Sequence, residues 1–576
     1  MKEIICRTAV VGSGCAGLNA ADWLAALGER DVLLIAEDMM YGTSRNTGSD
    51  KQTYYKLSLA GDEGDSVGDM ARTLKREDVD GDIALCEAAG SARCFLKLAQ
   101  LGVPFPCNDM GEFVGYQTDH DVRRRASSVG PLTSRYMTEA LEKSVRARNV
   151  PVLEKVLAFR ILTDETGVCG LLCVNTQEHT LLRVRCGQVI LATGGPAGVY
   201  LNRVYPESQF GMSGMAFAAG AAGANLHCWQ YGLASTKFRW NVSGSYQQAL
   251  PRYVSVDAQG VEHDFLPESL PISDVLRFTF LKGYQWPYDP RKAEGSSKVD
   301  ILVKAEEDKG RRVYMDFRRN PTGFALDALD DEARDYLLQC GATQATPIER
   351  LRAINAPAID LYRAHGIDLE RDMLEVRVCA QHHNGGVMVD HHWQSTLPGL
   401  YVCGEAAGTF GQYRPGGTAL NSTQVGSMRA AQRIREMPRP VPDAYPETAA
   451  LTLPAGDPRT LTADLQTMMS RHAAFMRDEA GIRAMLARID AIENRRQPLA
   501  EGEVDLCDRI RLQDMITTQR QVLSAMLHDL TCPGEGVLET RNGVSRRRPA
   551  RPIPERDLWF ERVWRTEREK RKETTC

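Results

Sequence analysis

Short apolar runs that break into glycine punctuate the chain, and their order predicts strands alternating with helices. Ala9-Val10-Val11 leads into Gly12-Ser13-Gly14-Cys15-Ala16-Gly17, and a second run, Val32-Leu33-Leu34-Ile35-Ala36, stops at Glu37. Val189-Ile190-Leu191-Ala192-Thr193 runs into Gly194-Gly195-Pro196, and Gly399-Leu400-Tyr401-Val402-Cys403 into Gly404-Glu405. Between the second and third runs, the apolar positions of 152–159, 161–162 and 170–174 predict a β-meander that ends in 189–193. The Ala- and Gly-rich stretch 214–223 predicts a tightly packed helix. From 231 to 350 the rhythm is lost, and the chain becomes aromatic, Pro-punctuated and mixed in charge, as an inserted domain would be. It returns over 351–440 and breaks at Pro438-Arg439-Pro440-Val441-Pro442. Beyond, 459–492 and 500–530 read as amphipathic helices, with Leu461, Leu465, Met468 and Met469 on one face.

The glycine spacing carries chemistry. Gly12 permits a tight turn, Gly14 lets backbone approach a pyrophosphate, and Gly17 lets helix and strand pack closely. The helix N-terminus, with Ala16 in its first turn, offers amides and a macrodipole to phosphate. Glu37 is placed to accept hydrogen bonds from an adenosine ribose and disfavours a 2′-phosphate. A lone fingerprint of this kind is weak, but a late strand returning at Gly399–Gly404 is how FAD-binding folds close their site. The reading is an α/β fold: a Rossmann-like FAD-binding domain (1–230 and 351–440), an inserted α+β capping domain (231–350) and a C-terminal helical domain (455–576). Thr43, Ser44, Thr193, Gly194, Gly404, Glu405, Ala419 and Leu420 join the fingerprint as cofactor-binding candidates.

Composition narrows this little further. The 576 residues are too many for one core, and 43% hydrophobic with 25% charged side chains is ordinary for a globular protein. Seventy basic against 75 acidic residues give −5, which favours neither nucleic acid nor a membrane surface as partner. No run reaches about 18 apolar residues, so no membrane span is expected, and the N-terminus leaves no room for a signal peptide. The 15 cysteines form no CxxC. They point to a reducing, cytoplasmic setting with no metal, haem or iron–sulfur site built by this chain alone. Arg546-Arg547-Arg548 and Arg568-Glu569-Lys570-Arg571-Lys572 read as a solvated basic tail, with a docking surface for a partner subunit as the alternative.

Together with His382-His383-Asn384-Gly385-Gly386 and Arg414-Pro415-Gly416-Gly417-Thr418-Ala419-Leu420-Asn421, these motifs resemble the fumarate reductase/succinate dehydrogenase flavoprotein superfamily. That superfamily also holds L-aspartate oxidase and the adenylylsulfate reductase α subunit. The resemblance spans nearly the whole chain and implies substrate held between cap and flavin, with the flavin N5 edge exchanging hydride. It also exposes departures. Where covalent members carry a flavin-linking histidine, the segment Gly42–Asp50 has none, which implies non-covalent FAD. The family histidine after a Gln-Phe pair is matched by Gly232 in Trp229-Gln230-Tyr231-Gly232-Leu233. A second family histidine is matched by Gln381. The proton-donating arginine of the cap has no clean equivalent, with Lys298 nearest and Arg291 close. Arg414 alone is retained.

The chemical candidates follow. Arg414 can clamp a carboxylate bidentately, and His382 and His383 are acid–base candidates of which only one need face substrate, since neighbours in an extended segment point oppositely. Lys298 is a further candidate acid. Gln381, Tyr231, Arg239 and Tyr413 are candidate substrate contacts, in an aromatic and basic cap suited to a bulky anion or making the cap's own core. The expected activity is exchange of hydride with an activated C–C bond of a carboxylate-bearing substrate. The alternatives are C–N or C–O oxidation, an electron-transfer flavoprotein subunit needing an iron–sulfur partner, and a non-catalytic flavin.

Overall fold

The computed structural model describes residues 1–60, 64–118, 121–444 and 451–555. Its centre is a five-stranded parallel sheet in the order Leu400–Val402, Gln188–Leu191, Thr8–Val11, Val32–Ile35, Val152–Leu153. The first four of these strands are buried along their whole length. That is why they read as unbroken apolar runs rather than as alternating ones. One face is covered by the helix Cys15–Ala26, packed against Thr418–Glu436 and Thr133–Ala147. Thr8–Val11 has Val32–Ile35 on one side and the much later Gln188–Leu191 on the other. Such a switch in strand order opens a crevice at the carboxyl ends, where ligands of α/β sheets bind.

The expected meander divides in two. Val156–Asp164, Gly167–Asn175 and Leu181–Arg185 pair antiparallel in a separate sheet, joined at its edge by Lys2–Ile5. Gln188–Leu191 instead enters the parallel sheet. The helix expected over 214–223 is shorter, Gly214–Ala218, because Gly220 takes φ 91 and Gly223–Ala224 becomes a strand.

A six-stranded antiparallel sheet faces the crevice, in the order Trp240–Asn241, Trp229–Ser235, Leu374–His383, Arg312–Asp316, Arg252–Val256, Glu262–His263. Its strand Leu374–His383 belongs to the returning segment 351–440, so the returning chain is shared between the two sheets. The pairing of Trp229–Ser235 with Leu374–His383 slips by one residue: Gln230 faces His382, Tyr231 faces Ala380, and Gln381 is the extra residue. Bulges of this kind re-aim side chains beside binding sites.

After 450 the helices are Pro458–His472, Glu479–Glu493 and Leu506–Thr531. Leu465 and Met469 are fully buried, and Leu461 and Met468 pack partly against the same core. Leu506–Thr531 lies against Gly214–Ala218, where Asp514 accepts from the Met215 amide at 2.8 Å. Arg546–Arg548 are a correction to the solvated-tail expectation. They lie in the strand Val544–Arg548, paired with Val537–Arg541, where Arg547 meets Asp529 and Arg548 bonds Asp80 at 2.7 Å. Consecutive arginines, two of them with carboxylate partners, form an edge strand here, a pattern charge counting cannot distinguish from a tail. Residues 568–572 lie outside the described residues. Among the described residues no helix is long and apolar enough to cross a membrane.

Candidate active site

A cavity of about 460 Å³ runs from the carboxyl ends of the parallel strands to the antiparallel sheet. At its nucleotide end the backbone sets the shape. Gly12 has φ 118, and a Cβ there would lie 2.3 Å from the Ala192 carbonyl oxygen; one on Gly17 would lie 1.9 Å from the Gly12 oxygen. Gly17 is therefore a packing residue, and Gly14, which lines the cavity, meets nothing nearer than Ser44 Oγ at 3.4 Å. The N-cap of the helix Cys15–Ala26 is Gly14, which has no side chain to cap it. The Cys15 amide donates to Ser44 Oγ at 3.3 Å, and Gly14, Cys15 and Ala16 bring the helix N-terminus to the cavity. A second helix, Thr418–Glu436, starts at Gly417 in the left-handed region, bringing Ala419 and Leu420 to the wall.

Ala16, Glu37, Thr43, Ser44, Thr193, Gly194, Gly404 and Glu405 also line it. The hydroxyls of Thr43 and Thr193 are buried without a hydrogen-bond partner. Two orphaned hydroxyls, two helix N-termini and a glycine cradle fit a polyphosphate-bearing dinucleotide, and Glu37, the candidate ribose contact, lines the same cavity. Arg511, from the helix Leu506–Thr531, pairs with Glu37. No local sequence signal could have found that contact, because the two residues are distant in the chain.

At the other end, side chains set the shape. The bulge lets both Gln381 and His382 line the cavity, while His383 turns away. The His383 ring stacks on Trp229 at 4.1 Å and its Nε2 meets the Leu226 oxygen at 3.2 Å, with burial pushing its pKa down to about 3. Arg414 donates from Nε to Asn384 Oδ1 at 3.2 Å, from Nη1 to Thr418 Oγ1 at 3.3 Å and from Nη2 to Gln230 Oε1 at 2.8 Å. Of its five N–H groups, two remain for a ligand, one on each terminal nitrogen. Burial lowers its pKa to about 10, so it stays cationic at neutral pH.

Asn384 Oδ1 also lies 2.8 Å from His382 Nδ1. An arginine can only donate, so that atom is an acceptor and Nδ1 carries the proton. The Nε2 of His382 is then an unprotonated acceptor. Burial, and next the charge of Arg414, hold the ring neutral, well below the usual histidine range. Glu405 completes the junction between the two ends. It accepts from Tyr205 and from the His383 amide at 2.8 Å, and burial raises its pKa to about 7.

The other candidates lie outside the cavity lining. Lys298 opens the helix Lys298–Asp308 and pairs with Glu294 at 3.3 Å. Tyr231 bonds Tyr200 at 2.9 Å, Arg239 reaches the Tyr205 oxygen at 3.1 Å and Glu207, and the Tyr413 ring lies 3.6 Å beneath Arg291. In their place stand Gln230, Asn241, Gln248, Asp50 and Trp286, which the sequence did not single out. Trp286 occupies the space at Gly232: a Cβ there would meet the Trp286 oxygen at 3.0 Å and its ring at 3.3 Å. The loop carrying it is held by Lys282, which donates to the Trp286 oxygen at 2.6 Å and forms a buried pair with Asp300 at 2.7 Å.

The model of the FAD binding domain family matches residues 7–420, the greater part of the chain. The chain belongs to this family. It is an FAD-dependent oxidoreductase. An L-aspartate oxidase of Agrobacterium fabrum is 29% identical over 511 residues, 86% of each chain. Among solved structures, Mycobacterium smegmatis Sdh1 in complex with UQ1 superposes with a TM-score of 0.72 at 17% identity, covering 97% of this flavoprotein and 96% of that chain. A quinol fumarate reductase variant from E. coli gives 0.69 at 16% identity, with 96% and 98% covered. At such identities the structures show a shared fold alone.

Proposed function

We propose that this flavoprotein oxidises the bond beside a substrate carboxylate, with a Cα–N bond of an amino acid as the leading case. Loss of two electrons and two protons from H–C–N–H gives C=N, which water then hydrolyses. The observation that carries this reading is the protonation pattern at the substrate end. It offers a neutral His382 with an unprotonated Nε2, 3.9 Å from Glu405 Oε2, and Lys298, the candidate proton donor, is outside the cavity lining. A base is what an ammonium substrate needs. Reduction of a C=C bond needs an acid opposite the electron donor. The likeness to an L-aspartate oxidase over most of both chains supports the same direction.

In this reading FAD binds without a covalent link and supplies two-electron redox chemistry. Arg414 clamps the carboxylate through its two remaining N–H groups, and Asn384 fixes both the guanidinium and the His382 tautomer. His382 Nε2 takes the proton from nitrogen. Thr43, Thr193 and the amides after Gly14 hold the cofactor phosphates and sugar. A small-molecule substrate suffices for this chemistry, and an electron-accepting partner protein would replace oxygen without changing the site.

The test is anaerobic mixing of the flavin-loaded enzyme with L-amino acids, watching loss of flavin absorbance. Bleaching by an amino acid, abolished in Arg414→Ala with flavin still bound, supports the reading. Inertness to every amino acid, combined with fast reoxidation of reduced enzyme by an enoate, overturns it in favour of C=C reduction.

A further inference from the structure

Within that reading, the charges lining the substrate end describe the substrate. Among the described lining residues the cations are Arg414 and Lys51, and Lys51 is exposed. Arg414 can hold one carboxylate. Nothing comparable is available for a second. The position matched to a family histidine is Gly232, and its space is taken by Trp286. Gln381 is committed on both sides, donating to the Leu233 oxygen at 3.1 Å and accepting from Asn241.

The lining holds instead a buried carboxylate, Asp50, exposed by only 4%. One of its oxygens accepts from the Ser245 amide at 2.7 Å, which fastens it to the turn at Gly244. Gln248, which also lines the cavity, receives a bond on its Oε1 from Tyr336 at 2.9 Å. A second substrate carboxylate would thus lose its water among amides and an anion, without a cation to compensate. A donor group would find the Asp50 carboxylate as its acceptor there.

We propose that the substrate is a monocarboxylate whose far end carries a neutral or cationic hydrogen-bond donor, such as a primary carboxamide. Asp50 is the specificity residue that excludes a second carboxylate. The inference rests on the oxidation reading only for the place of the carboxylate at Arg414, and its test is independent of turnover.

Succinate and succinamate differ only in carboxylate against carboxamide at one end. Each is titrated into the flavin-loaded, oxidised enzyme, and binding is read from the flavin absorbance difference spectrum. Succinamate is expected to bind at least about tenfold tighter. In Asp50→Asn, which can still accept from the Ser245 amide, succinate affinity is expected to rise and the gap to close. Equal or tighter binding of succinate, binding of neither probe, or a gap unchanged in Asp50→Asn overturns the proposal. An enzyme that prefers succinamate but is reduced by no amino acid keeps this proposal and loses the reaction.

Discussion

The two ends of the cavity are specified in different ways. At the nucleotide end, contacts between backbones leave no room for choice: Gly12 and Gly17 stand where any side chain would overlap a carbonyl oxygen. At the substrate end the walls are side chains from a bulge, a turn and two loops, and each can be exchanged for a neighbour of similar size. A backbone cradle keeps its ligand across relatives of different chemistry. An amide-lined wall lets the substrate change without disturbing the fold.

The largest expected effect tests the first half of that contrast. Gly17→Ala places a Cβ 1.9 Å from the Gly12 oxygen, so strand and helix must part. Little folded, flavin-loaded protein is expected, read as the ratio of flavin to protein absorbance. Gly14→Ala meets only the flexible Ser44 Oγ at 3.4 Å. It should fold yet hold flavin weakly, because the new methyl stands in the cavity. Equal flavin content in both variants would break the distinction between packing glycine and approach glycine.

At the substrate end, Arg414→Ala is expected to lower kcat/KM about 10³-fold with flavin content unchanged. Two charge-assisted hydrogen bonds to a carboxylate, each worth about 1.5–3 kcal/mol, set that scale. Loss of flavin alongside activity would mean that Arg414 serves the nucleotide end after all.

How much of this was legible in the sequence follows the same division. The cradle was readable because steric demands force glycine at fixed spacing, and the returning strand was readable because a strand buried on both faces is apolar throughout. Arg414 was readable from its place in a motif. The bulge at Gln381 was not, since a one-residue slip depends on the partner strand's register. Nor was Trp286, which fills the space at Gly232 from a loop far along the chain. His382 and His383 look equivalent as letters, and alternation says only that they part. The stack on Trp229 decides which one leaves.

Two buried carboxyls extend the comparison to pH. Glu405 lines the cavity and Asp514 lies between the C-terminal helix and Gly214–Ala218, and burial raises each to about 7. For Asp514 the folded pKa is above the unfolded value of 3.8. Folded protein then holds a proton that the unfolded chain has lost between about pH 4 and 7, so stability falls as pH rises through that window. Asp514→Asn can still accept from the Met215 amide and cannot ionise. It should match the wild type near pH 4 and exceed it above pH 7 by up to about 4 kcal/mol in denaturant unfolding. A constant difference across this range would show that Asp514 is ionised throughout.

The smallest expected effect separates the two directions of reaction. Lys298, the first residue of its helix, pairs at 3.3 Å with Glu294 in the turn before it, and the glutamate side chain is 88% exposed. Exposed pairs contribute only about 0.2–1 kcal/mol. Lys298→Ala is therefore expected to leave kcat/KM within about twofold, while His382→Ala lowers it tenfold or more, as loss of a positioned base does. Steady-state rates of the two variants across pH 6–9 check both. A tenfold loss in Lys298→Ala with flavin and stability intact would mean that the cap helix turns its first residue onto bound substrate. The cap would then supply an acid, and the case for oxidation over C=C reduction, which stands on a base without an opposing acid, would be reversed.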